Sequence, residues 1–172
     1  SYVFWCYVKN WDYNYDLVKP ILNKGAIFGE RKGNTEMLQE NISMPAIFLS
    51  NSTNTSGSPD NGVPSILFTF KQAATGEYND VYELSNIPLN KWFHISVVIY
   101  TKVVELYMDG LLLKTVHFDS DLQFNYSKLN IGELGGYDGN IGKLAVFPYS
   151  ISTSEVYSRF LSGPPSTTDI DD

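Results

Sequence analysis

The chain has 172 residues, one domain's worth, with 43% hydrophobic and 18% charged residues, a balance that excludes disorder of the chain as a whole. A formal charge of −7 argues against a nucleic-acid surface. One cysteine excludes an internal disulfide framework and any multi-cysteine zinc site, and no apolar run reaches the ~18 residues of a membrane span. In chain order, short β-branched and aromatic runs alternate with turn residues, the all-β pattern. Strands are expected at Tyr2–Val8, Ile21-Leu22, Ala26–Phe28, Ala46–Leu49, Ile66–Phe70, His94–Tyr100 and Val103–Met108. Asp109-Gly110 reads as a type I′ hairpin turn into Leu111–Phe118. Lys128–Ile131 and Lys143–Tyr149 complete the set.

Alternation puts Val104, Leu106 and Met108 on one face and Val103, Glu105 and Tyr107 on the other. One apolar and one mixed face suits an antiparallel sandwich. Ser152-Thr153-Ser154-Glu155 is a capping box with Ile151 and Val156 as its hydrophobic staple. It opens a short helix through Leu161 that stops at Gly163-Pro164 and is expected to plug one end of the sandwich. Gly142 suggests a bulge that turns Leu144 and Val146 toward the core. Ser50–Gly62 is polar and of low complexity and reads as a mobile surface loop. The sandwich is expected over residues 1–163, and the acidic, proline-containing residues 164–172 as a tail or linker. The start, Ser1-Tyr2-Val3-Phe4-Trp5, already lies in a strand pattern without a signal segment, and reads as a piece of a longer protein.

Trp92-Phe93-His94-Ile95-Ser96-Val97-Val98, Val104-Glu105-Leu106-Tyr107-Met108-Asp109-Gly110, Leu129-Asn130-Ile131-Gly132 and Tyr137-Asp138-Gly139-Asn140-Ile141-Gly142-Lys143-Leu144-Ala145-Val146-Phe147 stand in a telling order. Together with the aromatic first strand and Ile21-Leu22-Asn23-Lys24-Gly25, they resemble the laminin-G-like domains of the concanavalin A-like lectin/glucanase superfamily. The resemblance covers residues 1–163 and implies a jelly-roll sandwich of two curved antiparallel sheets. The style of Ile87–Val98 is similar to laminin-G-like domains encoded by large DNA viruses, where a particle or surface protein would be expected.

That superfamily includes glycosidases with an E-x-D-x-x-E strand. The nearest string here, Glu77-Tyr78-Asn79-Asp80-Val81-Tyr82-Glu83, puts Glu77 and Asp80 on opposite faces of a strand, and Asp80 and Glu83 likewise. It reads as a solvated strand edge or turn. His94 and His117 lack a G-x-S-x-G partner motif, and no P-loop, dinucleotide or H-E-x-x-H motif occurs. The chain is therefore expected not to be an enzyme. Asp12-Tyr13-Asn14-Tyr15-Asp16 has D-x-N-x-D spacing, but Leu17 and Asn23 stand where an EF-hand needs Gly and Glu. A looser Ca²⁺ site on Asp12, Asn14 and Asp16 is the remaining metal reading. Relatives often carry an acid after the Ile of a G-x-I-D pattern near the last strand, where this chain has Gly142.

For binding, Trp11, Tyr13 and Tyr15 stand among Asp12, Asn14 and Asp16, an arrangement suited to stacking on sugar faces; the alternative is that they fold back over the sandwich end. Tyr137, with Asp138 and Asn140, is a second candidate rim. Trp92 reads as a core anchor and Cys6 as a buried small hydrophobe. Sequons at Asn41, Asn51, Asn54 and Asn125 are glycosylation candidates. The expectation is a non-catalytic module for a glycan or glycosylated partner, extracellular or surface-exposed, including on a virion. The alternatives are a structural module docking on neighbouring subunits and, third, a glycoside hydrolase. No nucleic-acid partner and no membrane insertion by this segment are expected.

Overall fold

The protein is described by a computed structural model over residues 1–14, 17–28, 43–53, 59–74 and 80–166, with residues 43, 51–53 and 59–62 described by backbone alone. Its described strands are β1 (Tyr2–Asn10), β2 (Lys19–Gly25), β3 (Ser43–Thr53), β4 (Pro59–Phe70), β5 (Asp80–Ser85), β6 (Trp92–Ile99), β7 (Val103–Met108), β8 (Leu111–His117), β9 (Leu129–Ile131) and β10 (Asp138–Val146), followed by one helix, α1 (Thr153–Leu161). They form two five-stranded sheets, β10-β1-β6-β7-β8 and β5-β4-β3-β2-β9. The chain divides into two compact units: Ser1–Lys9 with Pro88–Asp119 and Gly139–Asp172, and Asn10–Ile87 with Ser120–Asp138. Among the described residues no helix is long and apolar enough to cross a membrane.

In the first unit, β1, β6 and β7 pair antiparallel, so that Val3, Ser96 and Tyr107 form one cross-strand row, Trp5 and His94 the next, and Tyr7 and Trp92 the one after. Alternate residues define the opposite face, where Phe4, Cys6, Phe93, Ile95, Val97, Val104 and Leu106 are fully buried. The Asp109-Gly110 turn has φ of 49° and 77°, the two left-handed residues that a type I′ turn requires. Tyr107 shows where alternation misleads. It shares a face with Glu105, yet it is only 1% exposed, because Val3, Val98, Tyr107, Ile151 and Val156 form one apolar cluster.

That cluster places α1. Ser152 Oγ accepts the Glu155 N–H at 3.2 Å, and Glu155 faces Arg159 at 3.4 Å. The staple residues Ile151 and Val156 are both buried. The expected helix is present with its expected cap, but it does not plug an end: it lies on the face of the sheet that carries Val3, Val98 and Tyr107. One physical reason is the apolar side chains on that face, which need cover. Tyr107 Oη also lies 3.2 Å from Thr153 Oγ1 and 2.8 Å from its acceptor Glu105 Oε2.

Beyond the helix, a Cβ on Gly142 would collide with the Pro165 ring, so glycine here permits close approach. Lys143 Nζ donates to the Ser162 and Gly163 carbonyls at 3.1 and 2.8 Å. The expected inward turn of Val146 does not occur; it is 47% exposed, and Leu144 is half-buried.

In the second unit, β3 pairs with β2 and β4, and β4 with β5. Val18 and Phe28 cluster with Ala46, Phe48 and Leu67 on one face, while Ile47, Leu49, Ile66, Phe68 and Phe70 are buried on the other. Three expectations change here. β5 is a strand the sequence left undecided. Ala26–Phe28 is not one, and Ile27 points outward at 71% exposure. The Ser50–Gly62 stretch is partly strand, since β3 continues to Thr53 and β4 begins at Pro59.

Replacing Ser152 with alanine removes the acceptor of the first-turn N–H. It should cost about 1 kcal/mol and lower Tm by roughly 2–4 °C, measured by thermal unfolding monitored by circular dichroism.

Candidate functional site

In the first unit, α1 covers the sheet row by row. Ile151 and Val156 lie on Val3, Val98 and Tyr107. Phe160 then stacks on Trp5 at 5.9 Å and 24° and lies 6.1 Å from His94. The next row, Tyr7 and Trp92, is left at the rim as a tilted ring pair 5.6 Å apart. The result is a groove of about 510 Å³ lined by Trp5, Tyr7, Asn90, Lys91, Trp92, Asp109, Phe160 and Pro164. Its walls are aromatic, with an amide, an ammonium and a carboxylate at the edge, the composition of a small-ligand cleft.

The polar groups are not equally available. Asp109 Oδ1 accepts the His94 backbone N–H at 2.8 Å, and the Asp109 N–H donates to the His94 carbonyl at 2.9 Å. Asn90 has left-handed φ of 54° and gives its backbone N–H to the Val8 carbonyl. Its side chain and that of Lys91 are exposed at the mouth. Beneath the groove, the His94 ring packs edge-on to Trp5 at 5.2 Å. It is 1% exposed, and neither ring nitrogen has a hydrogen-bond partner among the described residues. Burial pushes its pKa down to about 4, against a smaller opposing pull from Asp109. The imidazole is thus neutral near pH 7 and acts as floor.

The residues singled out by sequence fall in the second unit. Trp11 is 9% exposed, and its ring lies 4.3 Å from the Lys19 ammonium, which also donates to the Trp11 carbonyl at 2.9 Å. This cation–π contact uses a face that a sugar would need. Tyr13 is 40% exposed, with its hydroxyl 3.5 Å from the Gly135 carbonyl. That contact brings the first candidate rim to the glycine-rich loop before Tyr137, which is half-buried. Tyr15 and Asp16 lie outside the described residues. Asp12 is exposed, and the Asn14 carbonyl accepts the Leu17 N–H. Among the described residues no group of three His, Cys, Asp or Glu side chains is placed to hold a metal ion.

Of the sequon residues, Asn41 and Asn54 lie outside the described residues, and Asn51 is described by backbone alone, within β3. Asn125 Nδ2 donates to the Lys24 carbonyl at 2.8 Å, so the nitrogen a glycan would use already ties its segment to β2. Asp80 accepts from Gln72 and Glu83 from Ser85; Glu77 lies outside the described residues. The groove residues Tyr7, Asn90 and Lys91 were not singled out by sequence, and Trp92 was read only as an anchor. A usable signal existed: Asn90-Lys91-Trp92 sets two polar side chains beside an indole where a strand begins.

A family model described as the concanavalin A-like lectin/glucanases superfamily matches residues 38–157. The chain belongs to that superfamily. No curated protein sequence matches it. Among solved structures, the receptor binding domain of botulinum neurotoxin D is similar with a TM-score of 0.64 and 14% identity, over 94% of this chain and 36% of that one. The serotype D ligand binding domain in complex with N-acetylneuraminic acid gives 0.63 and 13%, over 94% and 35%. The mosaic C/D receptor binding domain gives 0.61 and 14%, over 94% and 35%. The chain spans about a third of the length of these structures, and at such identities the likeness is one of fold. The lectin-like superfamily fold is the all-β jelly-roll sandwich class, here with two antiparallel sheets and a short C-terminal helix.

His94 makes stability depend on pH. Its folded pKa lies below the ordinary 6.5, so the unfolded chain takes up the proton first as pH falls. This contribution is whole above pH 6.5 and is lost progressively toward pH 4. Urea unfolding from pH 7 to 4 should show a steeper decline for the native sequence than for a His94→Phe variant.

Proposed function

We propose that this chain is a non-catalytic carbohydrate-binding module of an extracellular or otherwise exposed surface, and that a glycan, free or on a glycosylated partner, lies in the groove of the first unit. The observation that carries this reading is the Tyr7–Trp92 ring pair at the groove rim, beside Asn90 and Lys91. Aromatic faces pack against the C–H faces of a sugar, and the neighbouring amide and ammonium answer its hydroxyls or carboxylate. Membership of a lectin-containing superfamily supports the same reading, as does the fold likeness to a toxin domain solved with a sialic acid.

Hydrolysis of a glycosidic bond requires two carboxyl groups about 5–5.5 Å or 6.5–9.5 Å apart. The groove lining includes one carboxylate, Asp109, and one of its oxygens already holds a backbone N–H. That supports binding over catalysis.

A glycan array followed by calorimetry tests the proposal. Binding to at least one neutral or acidic glycan is expected. Trp92→Ala and Tyr7→Ala should each weaken it about tenfold or more, equivalent to about 1.4 kcal/mol, with unchanged circular dichroism. Silence across the array, or undiminished affinity in both variants, would contradict it.

A further inference from the structure

One wall of the groove is built by the residues that follow α1. Pro164 lines the groove, and the ring of its neighbour Pro165 lies so close to Gly142 in β10 that a Cβ there would collide with it. The residue after that glycine, Lys143, lies inside β10 with φ of 47°. This left-handed backbone costs an ordinary side chain energy, whereas glycine adopts it freely. A residue held in such a conformation points to work done by its side chain. Lys143 Nζ donates to the Ser162 and Gly163 carbonyls at 3.1 and 2.8 Å. Those carbonyls stand at the C-terminal end of α1, where backbone acceptors lack helical partners and a cation is favoured. Gly163 has φ of 72° and gives its N–H to the Phe160 carbonyl at 3.0 Å. The turn that Lys143 grips therefore joins the two groove residues Phe160 and Pro164.

We propose that Lys143 is a positioning residue of the ligand groove: its ammonium clamps the turn after α1 onto β10 and so sets where Pro164 and Phe160 stand around Trp5. The proposal rests on the reading of this groove as a glycan site. The clamp is placed for binding more than for holding the fold together. The helix is seated by Ile151 and Val156 on Val3, Val98 and Tyr107, whereas Lys143 is exposed and holds only what lies beyond the last turn. With the clamp closed, a sugar on Trp5 and Tyr7 meets a wall already in position, which lowers the ordering cost of binding. With it open, the ligand itself would have to order that wall.

Lys143→Gly in the full 172-residue chain separates the two roles, because it removes the clamp while relieving the left-handed backbone. Its thermal midpoint should hold or rise, while its affinity for the glycan bound by the native chain should fall about fivefold or more. Lys143→Arg, which keeps a cation for the two carbonyls, should restore most of that affinity. Gly142→Ala, whose Cβ would displace Pro165, should weaken binding as well. A second readout needs no ligand. Phe160 stacks on Trp5, so movement of the helix end alters the ring current there. The Trp5 indole resonance of the free protein should shift in Lys143→Gly, return toward its native position in Lys143→Arg, and leave that of Trp11 unchanged in both. An unmoved Trp5 resonance, native affinity in Lys143→Gly, or a thermal midpoint that falls in step with affinity would each overturn the proposal. If the native chain binds no glycan, the reading of the groove fails, and the Trp5 resonance alone then decides whether Lys143 positions its wall.

Discussion

The contact of Phe160 with Trp5 and His94 is the interaction on which the first unit's architecture turns. A β-sheet rich in apolar side chains on both faces cannot leave one of them in water. Here α1 supplies the cover, and its position is set step by step. Ser152 caps the helix, Ile151 and Val156 seat it on Val3, Val98 and Tyr107, and the remaining turn carries Phe160 onto Trp5. Cover by the helix's apolar side chains reaches Trp5 and His94, and Tyr7 and Trp92 form the next row. The groove is thus a consequence of helix length and of the cross-strand register of β1 with β6.

This origin has a bearing on function. A groove floored by Trp5 and walled by Phe160 is held by packing, so its aromatic surfaces are in place before any ligand arrives, which lowers the cost of binding. His94 contributes by staying neutral: a charged imidazole beneath Trp5 would draw in water, and burial prevents that charge. The superfamily name covers both lectins and glucanases, so fold alone does not choose between binding and hydrolysis. The proposal of binding rests on the groove's own side chains, among which Asp109 is the one carboxylate.

Elements with strong local signals were legible in the sequence. Asp109-Gly110 announced its turn because few residue pairs accept two left-handed φ angles. The Ser152 capping box announced its helix because the side-chain acceptor and the staple sit at fixed spacing. Where that helix lies was not legible, because Tyr107 alternates with Glu105 and so reads as half-solvated, and only the tertiary cluster shows it buried. β5 was hard to read because Asp80-Val81-Tyr82-Glu83 mixes charged and apolar residues on both faces. The candidate site was the least legible part. Trp11 drew attention by standing in a polar loop, yet its ring faces Lys19. Trp92 was discounted for opening a strand, yet cross-strand pairing sets it beside Tyr7. Groove membership depends on which strands become neighbours, and that is a non-local property.

The three tryptophans allow the central claim to be tested in one spectrum. Trp5 and Trp92 line the groove, while the Trp11 indole nitrogen is buried in the second unit. In a ¹H–¹⁵N correlation spectrum recorded during titration with a bound glycan, the indole resonances of Trp92 and Trp5 should move together while that of Trp11 stays fixed. Movement of Trp11 with Trp92 unchanged would place the ligand on the other unit and contradict the account.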